Sequence, residues 1–372
     1  MNSNTINFND LAVLREFIPF LRLRLRIMKQ RIISHDIIDE GENILIVTPC
    51  VVGDCLSFLP AVQTFASQHN TSFDIVVSPD FRSLAERIKR VRRVFVAGSS
   101  YNRVTGRQCR PKQDVPPEYD LIIVLRLSRD AFDLIRHIRC KSIISSDGTL
   151  FKYIFHVVKN SLFKRPVTQS RELMFEVFGL QDAPKTCELY SLFDFNGDAS
   201  DISIRFPAIK CQERKVLVHM GSGWKVKLWS DDKWVDLLQK VHAFGKYRFF
   251  FVGKGDEEKF TFERIQKRLD FEVHSFINAA NLWELFLIMK LSDYFIGVDN
   301  GPRNLAHYAN LRSVTLLNPA AVKNFMPFDE RDIVIEKQNR FPANVVNTKR
   351  GARLDDINVD EVFEAFKRLI RL

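Results

Sequence analysis

The sequence predicts an α/β fold built on parallel sheets and arranged in two successive halves. Three observations carry this. Short β-branched and aromatic runs recur along the chain, at residues 43–48 (NILIVT), 73–77 (FDIVV), 121–125 (LIIVL), 215–219 (KVLVH), 249–253 (FFFVG) and 294–298 (YFIGV). Most are followed by a stretch with helical spacing, and strands alternating with helices imply a parallel sheet covered on both faces. A polar, Gly- and Pro-containing passage at residues 191–213 interrupts the pattern, which restarts at residue 215. A length of 372 residues suits about two ordinary domains.

Composition narrows the function classes. An apolar content of 46% is that of a globular protein. A mean hydropathy of -0.12, with no apolar run near ~20 residues, argues against a membrane span. The N-terminus (MNSNTINFND) has no early apolar core, so no signal peptide is expected. Six scattered cysteines without a CxxC pair fit reduced thiols in a cytosol, not a disulfide framework or zinc site. A net charge of +10 calls for an anionic partner. Nucleic acid is not that partner, since no recognition motif or interleaved aromatic stripe accompanies the charge.

The first patterned segment is residues 19–34 (PFLRLRLRIMKQRIIS). Leu21, Leu25, Met28 and Ile32 fall at helical spacing, with Arg22, Arg26 and Lys29 on an adjacent stripe. Such a helix either lies at a membrane interface with its arginines among anionic headgroups or packs on a domain surface. Residues 43–48 read as a buried strand. A loop follows, then an apolar-striped helix over 55–65, broken or kinked at Pro60. GxGxxG is missing, so this is not a dinucleotide fingerprint. Gly53 lets the backbone pass closely. Asp54 sits at the helix start, where the dipole keeps a carboxylate ionised and able to accept a proton. A plain helix cap is the commoner job for such a residue.

The first half continues with strands at 73–77, 94–96, 121–125 and around 143–144, and helices over 80–89, 128–138 and 170–179. The basic patch Arg87, Lys89, Arg90, Arg92 and Arg93 is either a solvated face or a contact for an acidic acceptor.

In the second half, the strand at 215–219 runs into Gly221, Ser222 and Gly223, which offer backbone N–H groups and a hydroxyl to phosphate oxygens. Lys227 adds a point charge. Trp229 and Trp234 read as packing residues, the latter within a helix over 231–243. The strand at 249–253 ends in GKGDEE, where a carboxylate either accepts hydrogen bonds from ribose hydroxyls or simply starts a helix. Residues 276–290 supply a further turn and helix. The strand at 294–298 turns through Asp299, Asn300, Gly301 and Pro302 into a helix over 303–309. The first-turn N–H groups of that helix, with the positive end of its dipole, attract an anion. Three strand ends thus deliver anion- or sugar-binding groups to one side of one sheet, where ligands of such sheets bind.

The segments VVGDCLSFLPAV, HMGSGWKVKLWS, FVGKGDEE and GVDNGPRNLA together resemble the motif set of the family 9 glycosyltransferases, the ADP-heptose:lipopolysaccharide heptosyltransferases. The resemblance extends to the closing helix, NVDEVFEAFKRLI. It implies a GT-B architecture: two Rossmann-like domains facing across a cleft. The division then becomes a basic arm at 1–40, an acceptor domain at 41–190, a linker at 191–213, a nucleotide-sugar domain at 214–350 and a C-terminal helix at 351–372. The resemblance further implies inverting transfer from a nucleotide sugar, ADP-heptose, to a lipopolysaccharide core or related glycan. No metal or other cofactor is implied, and the enzyme would be cytoplasmic and peripheral on the bacterial inner membrane. Asp54 matches the family's general base, with Gly53 beside it on the acceptor side. Gly221, Ser222, Gly223 and Lys227 match the groups holding the donor diphosphate, and Glu257 the ribose-binding carboxylate, with Glu258 as the neighbouring register. Ala280 lies in the loop 278–281 that matches the region facing the base, and Asp299, Asn300 and Gly301 match the donor loop. The family usually carries His where this chain has Asn304, which hydrogen-bonds but cannot carry charge. Two alternatives follow: a GT-B enzyme using another nucleotide sugar for capsule, O-antigen or protein glycosylation, or a non-catalytic nucleotide-sugar binder.

Overall fold

The computed structural model describes residues 43–48, 52–97, 114–124, parts of 131–145, 192–193, 199–222, 227–317, 330–336 and 354–371. The expected helices over 19–34 and 170–179 lie outside the described residues.

The first half folds around a parallel sheet in the order β3-β2-β1-β4-β5, made of β1 (Ile44–Val47), β2 (Phe73–Val77), β3 (Val91–Val96), β4 (Glu118–Val124) and β5 (Arg139–Ser145). Every residue of β1 and β2 is buried, as continuous apolar strands covered on both faces must be. The helix after β1, α1 (Val52–Gln68), differs from expectation in two ways. It begins at Val52, so Gly53 and Asp54 lie inside its first turn. It also runs unbroken through Pro60, with the Thr64 hydroxyl donating to the Pro60 carbonyl at 2.8 Å. The helix expected over 80–89 contracts to a 3-10 turn, Pro79–Phe81, and α2 (Arg82–Ala85). It stops there because Ile88 leaves to bridge Phe193 and Arg90 takes a left-handed turn, φ 65°, into β3.

The second half holds a parallel sheet in the order β11-β10-β9-β6-β7-β8. Its strands are β6 (Arg214–His219), β7 (Tyr247–Phe251), β8 (Val273–Ser275), β9 (Tyr294–Val298), β10 (Arg312–Leu317) and β11 (Asp332–Glu336). Helices α4 (Asp231–Phe244), α5 (Asp256–Gln266), α6 (Leu282–Lys290), α7 (Gly301–Tyr308) and α8 (Val359–Leu369) accompany it. The passage expected as a linker carries α3 (Ala199–Arg205) and a 3-10 turn, Pro207–Lys210.

Two apolar cores cover the second sheet. Trp229, Trp234, Leu238, Phe249 and Phe366 fill the face under α4, α5 and α8. On the opposite face Leu217, Phe250 and Phe295 join α6, α7 and α1 in one cluster that runs without a break into the first half. Phe193 sits at its centre, its ring 4.9 Å from Phe286 and 6.2 Å from both Trp283 and Tyr308. Helix α6 is therefore apolar nearly all round, since it is enclosed between a sheet and a second domain. This shared core makes the two Rossmann-like units a GT-B pair that faces itself through α1 and α7. Both sheets reverse strand direction of addition at one point, between β1 and β4 and between β6 and β9. Ligands of doubly wound sheets bind at such switch points.

Candidate active site

The N-termini of α1 and α7, one from each domain, meet end to end. A Cβ on Gly53 would lie 3.5 Å from the Gly301 nitrogen, and one on Gly301 would lie 3.2 Å from Val52 Cγ1 and 3.4 Å from the Gly53 nitrogen. An added Cβ would find ordinary contact at residue 53 but would press on Val52 at residue 301, so the close approach asks most of Gly301. Two positive dipole ends side by side favour an anion between them. Asp54 follows Gly53 directly in the α1 first turn; its side chain lies outside the description.

Helix α7 begins on an N-cap that does not cap. Asn300 makes no side-chain bond to its own first turn. Its Nδ2 instead donates to the Gly221 carbonyl at 2.6 Å and lies 2.9 Å from His219 Nδ1. The Asn300 Oδ1 is buried, with no hydrogen-bond partner among the described residues. Because β6 and β9 are register neighbours, with His219 opposite Gly297, the two loops that follow them are brought edge to edge at the switch point. Lys227, from the first loop, places its Nζ 3.0 Å from the Asp299 carboxylate and 3.4 Å from the Asp299 carbonyl on the second. Asp299 is buried, whereas Lys227 keeps 16% of its side chain open to solvent.

The carboxylate at the end of β7 is Glu258. A Cβ on Gly221 would lie 1.8 Å from Glu258 Oε1, and one on Gly253 only 1.7 Å from Oε2, so this side chain lies folded over both strand ends. Its Oε2 is 3.6 Å from His219 Nε2. Burial pushes the Glu258 carboxyl up to about 7, only partly offset by a backbone hydrogen bond from Lys254. Burial likewise holds the His219 imidazole down at about 4. Glu257, by contrast, points to solvent from the same helix turn. The neighbouring loop is stitched to this one: Asn278, at φ 61°, accepts the Gly255 N–H at 2.7 Å and donates its own N–H to the Gly253 carbonyl at 3.1 Å. Ala280 is half-buried at the end of that loop, and the carbonyl before it accepts from Arg205 at 3.0 Å.

The site thus gathers Gly53, Gly221, Lys227, Asp299, Asn300 and Gly301 around one sheet edge, with Ser222 half-buried beside them. Gly223 falls outside the described residues. Asn304 is buried and turned to the other domain, its Nδ2 3.3 Å from the Gly53 carbonyl. The basic patch is largely structural. Arg92 and Arg93 grip buried Asp74 at 2.9 and 2.6 Å, and Arg87 lies over the Trp283 ring. His219 and the Arg303–Asp332 pair escaped sequence reading, because a single polar residue at a strand end carries no spacing signal. Among the described residues, no group of three or more His, Cys, Asp or Glu side chains is placed to hold a metal ion, and no helix is long and apolar enough to cross a membrane.

Residues 118–352 match the family model described as glycosyltransferase family 9 (heptosyltransferase). Among solved structures, the glycosyl transferase family 9 protein of Veillonella parvula DSM 2008 aligns with a TM-score of 0.72 at 14% identity, over 91% of this chain and 99% of that one. The E. coli ADP-heptose lps heptosyltransferase II aligns with a TM-score of 0.66 at 16% identity, over 88% and 98%. The E. coli heptosyltransferase WaaC with ADP gives 0.59 at 16% identity, over 88% and 99%. No curated protein matches the sequence.

Proposed function

The chain belongs to glycosyltransferase family 9, and on that premise we propose that it moves a heptosyl unit from ADP-heptose onto a lipopolysaccharide core or related surface glycan, with inversion and without a metal. The observation that carries the reading is the meeting of two helix N-termini beside Lys227, which forms a site for a diphosphate. WaaC, solved with ADP, supports an adenine nucleotide as the leaving group.

In this mechanism Asp54 takes the proton from the acceptor hydroxyl as its oxygen bonds to the anomeric carbon. The bond from that carbon to the diphosphate oxygen breaks, and its electron pair leaves with the nucleoside diphosphate. Negative charge grows there, where Lys227 and the α7 N-terminus stabilise it; a single preorganised donor of this kind is worth ~3 kcal/mol. The general base contributes ~10²–10⁴-fold. Glu258, rather than Glu257, is the carboxylate we assign to the ribose hydroxyls, since it is the one lying over Gly221 and Gly253. The arm at 19–34 would bring the enzyme to an anionic membrane face carrying the acceptor.

A second reading has a specific observation behind it. Asn304 is neutral and engaged with Gly53, so it offers the donor no charge and leaves room for a different nucleotide sugar, used in capsule, O-antigen or protein glycosylation. Thermal-shift and transfer assays with ADP-heptose and with UDP, GDP and CMP sugars separate the two. Selective stabilisation and turnover by ADP-heptose is the expected result, and preference for another donor would overturn the heptosyl assignment.

A further inference from the structure

Helix α7 does more than open the donor loop: its buried face grips α1 of the other domain at two carbonyls. Asn304 Nδ2 donates to the Gly53 carbonyl at 3.3 Å, and one turn later the Tyr308 hydroxyl donates to the Leu56 carbonyl. Residues four apart share one helix face, so the two donors stand in a row against α1. Both are almost wholly buried, at 1% and 2% exposure.

One acceptor and one donor are each prepared by a specific residue. In a regular helix the Leu56 carbonyl would receive the N–H of residue 60, but that residue is Pro60, which has none. The proline that looked like a helix breaker instead leaves a carbonyl open for a partner from the other domain. The Asn304 amide is oriented by its neighbour: Arg303 Nη1 donates to Asn304 Oδ1 at 3.3 Å, which turns the Nδ2 toward Gly53. Arg303 is itself fixed by Asp332 on β11, whose other oxygen accepts from Ser313 at 2.7 Å and Thr315 at 2.9 Å. A buried polar chain thus runs from an edge strand of one domain, through Arg303 and Asn304, to the first turn of α1 in the other.

We propose that Asn304 and Tyr308 are positioning residues that hold the α1 first turn, and with it the Asp54 backbone, in register with the donor loop Asp299–Gly301; this rests on the transferase reading above. The donor loop runs into α7 and both gripping residues lie on that one short helix, so α7 ties the two reacting partners together. Loosening the grip would misplace the base and the α1 side of the diphosphate site while leaving Lys227, Asp299, Asn300 and Glu258 of the donor domain in place, and a misplacement of about 1 Å can cost ~10²-fold.

The test uses the full chain and two variants. Asn304→Asp keeps the volume and the acceptor for Arg303 but puts an oxygen against the Gly53 carbonyl. Tyr308→Phe removes only the hydroxyl. We expect kcat to fall at least about tenfold in each with donor KM within about twofold, and amide exchange to speed up selectively at residues 53–57. ADP affinity should change far less than kcat, since the donor-domain contacts stay in place. If Asn304→Asp does not fold, Tyr308→Phe decides alone. Unchanged exchange at residues 53–57 in the folded variants overturns the inference, as does loss of kcat matched by loss of ADP affinity. If the unaltered chain transfers no sugar, the transferase reading fails, while the exchange and ADP measurements still judge the grip.

Discussion

The Lys227 ammonium lies 3.0 Å from the buried carboxylate of Asp299, which fixes a long flexible side chain beside the start of α7. A lysine is a point charge on a four-carbon stem, and its use at a developing anion depends on being held in place. Lys227→Ala should therefore lower kcat by ~10²–10³-fold. Asp299→Asn keeps the ammonium but leaves it only neutral acceptors, the amide oxygen and the residue 299 carbonyl, and a loss of ~10-fold is expected, with the protein still folded. Steady-state transfer with a radiolabelled donor measures both. An Asp299→Asn enzyme as impaired as Lys227→Ala would show that Asp299 does more than hold the lysine.

Gly221 and Glu258 should behave as one unit. A Cβ at residue 221 lands 1.8 Å from the Glu258 carboxylate, the far end of a flexible side chain, so Gly221→Ala pushes that carboxylate away and leaves the fold standing. Gly221→Ala and Glu258→Ala should weaken ADP binding by similar factors. The double variant should be no weaker than either alone, a coupling expected only for groups in contact. Calorimetry on the four proteins completes the cycle, and additive losses would show that Gly221 acts on the nucleotide by itself.

Most of this arrangement was legible in the sequence because it is local. A buried strand, a glycine turn and a helix start are adjacent in the chain, so the turns after β6 and β9 were readable from patterning, while the start of α1 was placed three residues late, at 55 instead of Val52. What patterning could not reach was pairing over long separations. Asp332 looks like an ordinary strand residue until Arg303 is buried against it, and Pro60 looks like a break until Tyr308 arrives from the other domain. The choice between Glu257 and Glu258 turns on which one the α5 first turn aims at the sheet, about 100° apart on a helix. The short helix after Phe81 failed for a related reason, since residues 86–90 are pulled away by contacts with Phe193.

Asp74 shows what a buried charge does away from the site. Burial alone would raise its carboxyl, but hydrogen bonds from Arg93, Arg92 and Tyr119 outweigh it and hold the group below the usual carboxylate range. Both arginines are well exposed, at 39% and 49%, so solvent screening puts the loss on Asp74→Asn below that of a fully buried pair, at about 2 kcal/mol. Its contribution is present above the ordinary value of 3.8 and is lost as pH falls below it. Urea unfolding should show the loss with ADP affinity unchanged. A variant as stable as the parent would mean that the arginines and Tyr119 find equivalent partners without it.

His219 and Glu258 titrate in opposite senses, and stability should reveal it. Glu258 titrates at 4.5 in an ordinary setting and at about 7 in the fold, so the folded state holds its proton more tightly across that window. Its effect is therefore to lower stability as pH rises from 4.5 to 7. His219 is displaced the other way, from 6.5 to about 4, so its contribution is complete above 6.5 and is lost as pH falls toward 4. Between pH 4.5 and 6.5 the two slopes oppose each other and the parent protein should be nearly insensitive to pH through this pair. Glu258→Gln removes one slope, so its Tm should climb with pH over that range and exceed the parent's above pH 7, by roughly 2 kcal/mol of stability. Parallel Tm profiles for the two proteins would place the Glu258 carboxyl in water instead of over the ends of β6 and β7.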